Sequence, residues 1–159
     1  NPRFADAYVG RGSVFYNLDN LRLAMDDFNT AIELQPNMAV AYNYRGLVYL
    51  AGEDPQSALL DFTRAIQMDP EFAEAYYNRH RVEVLDQDIQ GAIEDLSQVI
   101  RLEPDSPRFY MERACLYLIE DDRESAAADL EQVLTVTSDE AFVVPARQLL
   151  AGLRQDSSP

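Results

Sequence analysis

Five arginines stand at equal intervals along the chain: Arg11, Arg45, Arg79, Arg113 and Arg147, each 34 residues after the last (45 minus 11, 79 minus 45, and so on). A fixed interval of that length marks stacked supersecondary units, each too small to bury its own apolar face and stabilised by its neighbours. Other residues keep the same phase: Pro36, Pro70 and Pro104; Ala24, Ala58, Ala92 and Ala126; Tyr8, Tyr42, Tyr76 and Tyr110. Any fold for this chain must therefore give chemically equal residues equal environments several times over.

Each unit reads as two helices. An apolar stripe at helical spacing breaks and resumes behind Asn20, Asp54, Asp88 or Asp122, whose short side chains suit the exposed amides at a helix start. Pro55 follows at a first helical position, and Ser106 with Pro107 predicts the same opening for the seventh helix. Pro36, Pro70 and Pro104 fall where second helices must stop. Core positions also compensate for one another: Phe28 with Ala31 and Phe62 with Ala65 become Leu96 with Val99 and Leu130 with Val133, a roughly volume-conserving exchange of the kind close-packed interiors tolerate.

Composition removes several alternatives. With 28 acidic residues against 13 basic, a net charge of −15 repels polyanions, so nucleic acid is not an expected partner. All the basic residues are arginine, which leaves no lysine for a Schiff base or a phosphate-binding loop. Cys115 is the one cysteine, which excludes an internal disulfide and a cysteine-based zinc site; a buried, inert thiol is expected. No run reaches the roughly 18 apolar residues of a membrane span. The compartment is not legible, and cytoplasm and periplasm both fit.

The repeat resembles the tetratricopeptide repeat family, in an array of bacterial type, whose pattern is aromatic, small, aromatic, alanine, aromatic, alanine and proline at fixed offsets. Repeat one supplies Tyr8, Gly12, Phe15, Ala24, Phe28, Ala31 and Pro36; repeat two supplies Tyr42, Gly46, Tyr49, Ala58, Phe62, Ala65 and Pro70. Repeat three departs, with His80 at the small position and Glu83 at the second aromatic, and repeat four has Ser138 in place of the proline. The resemblance implies an all-α fold, a right-handed α-α superhelix of four helix pairs: residues 5–38, 39–72, a degenerate 73–106, and 107–140. A capping helix over 141–155 with Pro145 in its first turn, then a disordered tail at 156–159, complete the expected organisation. Pro2 stands where a preceding repeat's proline would fall, so the chain is expected to begin within a longer array, with end-to-end self-association through the N-terminal repeat face as one consequence.

The arginines find counterparts in Asp27, Asp61, Asp95 and Asp129, also 34 residues apart. A ladder of partly buried ion pairs follows, in which each first-helix guanidinium meets a carboxylate on an adjoining second helix, and Arg147 has a share of Asp129.

By the same resemblance, function belongs to a concave groove lined by first-helix positions. Here these are Val9, Ser13 and Tyr16; Asn43, Tyr44, Leu47 and Leu50; Tyr77, Asn78 and Arg81; and Met111, Glu112, Cys115 and Leu118. Such a lining suits a peptide held by apolar anchors and a few hydrogen bonds. The carboxylate clamp of chaperone-tail binders does not transfer, since its positions read Val9, Ser13, Tyr44, Glu74 and Asn78. One repeat later they read Asn43, Leu47, Asn78, Arg108 and Glu112, which keeps the asparagine but places an acid where the arginine belongs. The asparagine ladder of sugar-transferase superhelices reads Gly10, Tyr44, Asn78 and Glu112 and is also absent.

His80 and Glu83, one turn apart, could form half a metal site or an acid/base pair, but a zinc site normally needs three protein ligands and the chain has a single histidine. The acidic run Glu120, Asp121, Asp122 and Glu124 lacks the glycine and alternating ligands of a calcium loop. The sequence thus predicts a non-catalytic interaction module without cofactor or metal, binding a protein or peptide. The alternative is a regulatory segment of a larger enzyme or signalling protein.

Overall fold

The computed structural model describes residues 2–155, with the side chains of 4–154. Among the described residues the regular structure is entirely helical: α1 (Pro2–Asn17), α2 (Leu21–Leu34), α3 (Ala39–Ala51), α4 (Pro55–Met68), α5 (Ala73–Leu85), α6 (Ile89–Leu102), α7 (Pro107–Ile119), α8 (Arg123–Val136) and α9 (Glu140–Gln155). The tail expected at 156–159 lies outside the described residues.

The short connections inside each repeat are one motif used four times. Asp19, Glu53, Gln87 and Asp121 adopt left-handed backbone, with φ of 57°, 62°, 62° and 57°. In the first copy the Asn20 amide donates to Phe15 carbonyl at 2.8 Å and the Asp19 amide to Tyr16 carbonyl at 2.9 Å, the paired bonds of a Schellman end, and the other three copies repeat them. The next residue immediately caps the following helix: Asn20, Asp54, Asp88 and Asp122 accept from the amides of Leu23, Ser57, Gly91 and Ser125 at 3.4, 3.1, 3.1 and 3.0 Å. Two residues thus close one helix and open another, so that α1 folds back on α2, α3 on α4 and α7 on α8.

Ser106 differs from this expectation. It occupies the cap position of α7 but makes no side-chain capping bond, so Pro107 alone provides the start signal there. Helices α2, α4 and α6 end at Leu34, Met68 and Leu102, ahead of Pro36, Pro70 and Pro104, whose rings disfavour helical backbone in the residue before. Pro145 lies in the second turn of α9 rather than the first, because the helix already begins at Glu140; the Ala141 carbonyl loses its helical donor as a result.

The chain divides into two compact units, Asn1–Val82 and Glu83–Pro159. In the first, α1 packs on α2, α2 on α3, and α3 on α4. Its largest buried groups are Phe28, set among Val9, Ala24, Ala31, Ala41 and Val48, and Phe62, set beside Ala58 and Val82. Each phenylalanine lies against a glycine of the partner helix: a Cβ at Gly12 would fall 2.7 Å from the Phe28 ring, and one at Gly46 would fall 2.6 Å from Phe62. Fully burying such a ring contributes up to about 3 kcal/mol. In the second unit α6 packs on α7, α7 on α8, and α8 on α9. Its core joins Ile100, Tyr110, Ala114, Leu130, Val133, Ala146 and Leu150. Here the small residue is Ala114 and the opposing side chain Leu130, so a larger small residue accompanies a smaller large one.

Candidate functional site

The recurring arginines sit among aromatic rings on the first helices. Arg11 donates through Nε and Nη2 to Asp27 at 2.8 and 2.6 Å, Arg45 to Asp61 at 2.6 and 2.9 Å, and Arg113 to Asp129 at 2.8 and 2.7 Å. These are fork-on-fork pairs, and the aspartates beneath them are only 1–4% exposed. The bond to the carboxylate raises the pKa of all three guanidiniums above its ordinary value, most directly through the hydrogen bond itself. Tyr42 lies 5.3 Å from the Arg45 guanidinium and Tyr117 lies 5.7 Å from that of Arg113, adding cation–π attraction.

The remaining guanidinium nitrogen does something the sequence reading did not foresee. Arg45 Nη1 donates to Asn29 Oδ1 at 2.8 Å, Arg79 Nη1 to Thr63 Oγ1 at 3.3 Å, and Arg113 Nη1 to Ser97 Oγ at 2.9 Å. Each acceptor lies 16 residues before its arginine, on the second helix of the preceding repeat, whereas each paired aspartate lies 16 residues after. The arginine is therefore a staple between neighbouring repeats as well as a rung within one. The signal was present: Asn29, Thr63 and Ser97 are short polar residues 34 apart, but unlike residue types at one register position do not announce themselves. Asp95 is buried on α6. Arg147 departs from the expected ladder: it is exposed on α9, and both oxygens of Asp129 are held by Arg113.

The expected groove residues fall into two groups. Val9, Asn43 and Asn78 are interior: Val9 packs into the Phe28 cluster, and Asn78 donates its amide to Asn43 at 3.0 Å, pinning α5 to α3. They serve packing because neighbouring first helices approach closely there. Half-buried positions, with the exposed Arg81, form the second group. Tyr44 stacks on Phe28 with ring centroids 5.5 Å apart, Tyr16 packs on the same cluster, and Leu47 and Leu50 lie against the Phe62 cluster. Ser13 donates to the Gly10 carbonyl at 2.9 Å, Tyr77 lies 5.7 Å from the buried His80 ring, and Arg81 is exposed.

In the second unit Met111 packs on the core, Leu118 is half-buried, and Glu112 accepts from Arg108 at 2.8 Å. Cys115 is exposed rather than buried, because its helix position faces away from the Ala114 contact. Its thiol pKa is nevertheless raised, by desolvation first and by Glu112 second, which keeps it poorly nucleophilic.

Antiparallel helix pairs at a 34-residue period, each closed by a Schellman turn and joined to the next by an arginine, define an all-α repeat solenoid, a class that works by presenting surfaces to proteins and peptides. Tetratricopeptide repeat profiles match residues 5–38 and 107–140 and, separately, 44–83, and the chain belongs to the tetratricopeptide repeat family.

Solved structures agree on the fold. A crystal structure of MamA protein superposes with a TM-score of 0.80 at 18% identity, covering 98% of this chain and 87% of that one. The first repeat domain of Spaghetti (RPAP3), bound to the HSP90 peptide SRMEEVD, gives 0.72 at 18% identity over 76% of this chain and 98% of its own. YrrB, described as having an unusual peptide-binding site, gives 0.73 at 21% identity over 91% and 74%. No curated protein sequence matches the chain. None of the described helices is long and apolar enough to cross a membrane.

Proposed function

We propose that this protein is a non-catalytic interaction module, and that the first-helix face of the unit Asn1–Val82 holds an extended peptide or a segment of a partner protein. The observation that carries the reading is the buried Asn43–Asn78 bond. It fixes α3 beside α5, so the half-buried Tyr44 and Leu47 and the partly exposed Tyr77 and Arg81 stand on neighbouring rows before any ligand arrives. A platform ordered in advance loses little entropy on binding. Tyrosines supply apolar area with a polar tip, and Arg81 offers the face a cation in a chain that is otherwise strongly acidic. The ligand this suits is a peptide with one or two apolar anchors and a carboxylate within reach of Arg81. Two proteins of the same fold carry peptides or a peptide-binding site by their descriptions, which supports the class of ligand and not its identity.

The test is selection of peptides from a displayed random library on the 159-residue chain, followed by amide chemical-shift mapping of the strongest binder. Shifts centred on α1, α3 and α5, with binding weakened by Tyr77→Ala and by Arg81→Glu, are expected. Selected peptides that map elsewhere and ignore both substitutions would refute the reading.

A further inference from the structure

The cleft between α2 and α3 is open where its counterpart in the second unit is bridged. Leu21, Met25 and Val48 supply its apolar lining, and Arg22, Tyr49 and Gly52 complete a space of about 370 Å³. Two repeat steps later, the residues that correspond to Arg22 and Gly52 are Gln90 and Glu120. Gln90 Nε2 donates to Glu120 Oε2 at 3.0 Å, so side chains span from α6 to the end of α7 in the second unit. Position by position, Gly52 is followed by Asp86 and Glu120, and Arg22 by Gln56 and Gln90. Later copies thus combine an amide with an acid, whereas this one combines a cation with no side chain at all.

Neither backbone nor packing asks for glycine at position 52. Its φ is −86°, close to the −81° of Glu120, and the left-handed residue of this turn is Glu53. A Cβ there would meet only carbonyl oxygens of its own helix, Val48 at 3.4 Å and Tyr49 at 3.5 Å, which are ordinary contacts. What the missing side chain leaves is room. Arg22 meanwhile reaches Asp26, one turn along its own helix, at 3.4 Å, with the two side chains 80% and 61% exposed. So long and solvated a pair holds the guanidinium weakly and leaves it able to take a second carboxylate.

We propose that this cleft binds an acidic peptide, whose glutamate side chain enters where Glu120 lies in the second unit and pairs with Arg22. An apolar side chain beside that glutamate covers the half-buried Leu21 and Met25. The ligand thereby supplies the acid that this copy lacks. Asp54 also lines the cleft, but its Oδ1 accepts from the Ser57 amide at 3.1 Å. Asp122, two residues after Glu120, is engaged in the same way by Ser125 at 3.0 Å, so the second unit already accommodates a carboxylate in this setting. The site shares no residue with the face formed by Tyr44, Leu47, Tyr77 and Arg81. One exposed charge pair over a shallow apolar floor places the dissociation constant in the range of about 0.1 to 1 mM at low salt.

Amide chemical shifts of the 159-residue chain, titrated with acetyl-Leu-Glu-amide and separately with acetyl-Leu-Gln-amide, test this. Saturating shifts at Leu21, Met25, Tyr49 and Gly52 are expected, with the glutamine peptide about threefold to fivefold weaker. Gly52→Glu supplies the acid from within, at a high effective concentration, and should weaken binding by about tenfold or more. Gly52→Ala, which leaves the room, should bind as the parent does. Arg22→Gln, which installs the residue of the later copies, should bring the two peptides to equal affinity. All three substitutions fall at exposed positions, and circular dichroism checks their helical content. No saturable shift at the cleft below about 5 mM peptide overturns the proposal. So do shifts confined to Tyr77 and Arg81, equal binding of both peptides by the parent, or undiminished binding by Gly52→Glu.

Discussion

Removing the Arg45 staple and its aspartate separately and together measures what the recurring pair contributes. Asp61 is 1% exposed and receives two bonds from Arg45, at 2.6 and 2.9 Å, plus one from Arg64 at 3.1 Å. Asp61→Leu leaves the Arg45 guanidinium, 14% exposed, with Asn29 as its remaining side-chain hydrogen-bond acceptor. A stranded charge at such a site costs about 3–5 kcal/mol. Arg45→Met leaves Asp61 with the half-exposed Arg64, so its cost should fall toward about 3 kcal/mol, the low end of that range. The double variant strands nothing and fills the site with apolar volume; replacing a buried pair outright in this way is often neutral, so its cost should be about 1 kcal/mol or less.

The coupling between the two sites should therefore be about 5 kcal/mol or more, well outside the roughly 0.3–0.5 kcal/mol within which independent sites add. Urea unfolding followed at 222 nm supplies the four free energies. The same cycle on Arg11 and Asp27 is the internal control: its bonds have similar lengths, at 2.8 and 2.6 Å, but the arginine is exposed to solvent, so the coupling must be smaller. A double variant as damaged as the sum of its parts, or equal coupling in both cycles, would refute the argument that burial gives the pair its weight.

Gly46→Ala should cost about 1–3 kcal/mol, because its Cβ would fall 2.6 Å from the Phe62 ring; Phe62→Leu added to it should recover part of that loss by reproducing the Ala114–Leu130 pairing of the second unit, as read by urea midpoints. Gln87→Gly should raise stability by about 0.5–1 kcal/mol, since glycine adopts φ of 62° without the Cβ clash, and an unchanged or lowered melting temperature would count against strain there. Asp54 and Asp122 have carboxyl pKa values below the ordinary one, held down first by hydrogen bonds from Ser57 and Ser125. A depressed native pKa means stability that is present above the usual carboxyl pKa of about 3.9 and lost as pH falls through the native value. The double variant Asp54→Asn and Asp122→Asn, which keeps the caps without the charge, should therefore lose less stability than the parent between about pH 5 and pH 3; equal losses in urea titrations would contradict this.

What the chain discloses by itself is whatever repeats in one residue type. Tyr, Gly, Ala and Pro at a 34-residue step define helix pairs, because each demands one local environment and meets it in every copy. Asp54, Asp88 and Asp122 were equally legible, since a cap is settled within four residues by hydrogen bonding to nearby amides. The pairing of Arg45 with Asp61 could be read from matching periods.

Tertiary structure decided the rest. Left-handed backbone at Asp19, Glu53, Gln87 and Asp121 was hidden, because these residues lack the glycine signature and are held in place by the turn around them. Asn43 and Val9 are interior rather than lining, and Cys115 is exposed, because burial depends on which neighbour arrives and not on the residue. The third nitrogen of each arginine shows the division most clearly. Its partner is Asn29, Thr63 or Ser97 in turn, alike only in having an oxygen at the right distance, and distance is a property that packing creates and a string of letters does not contain.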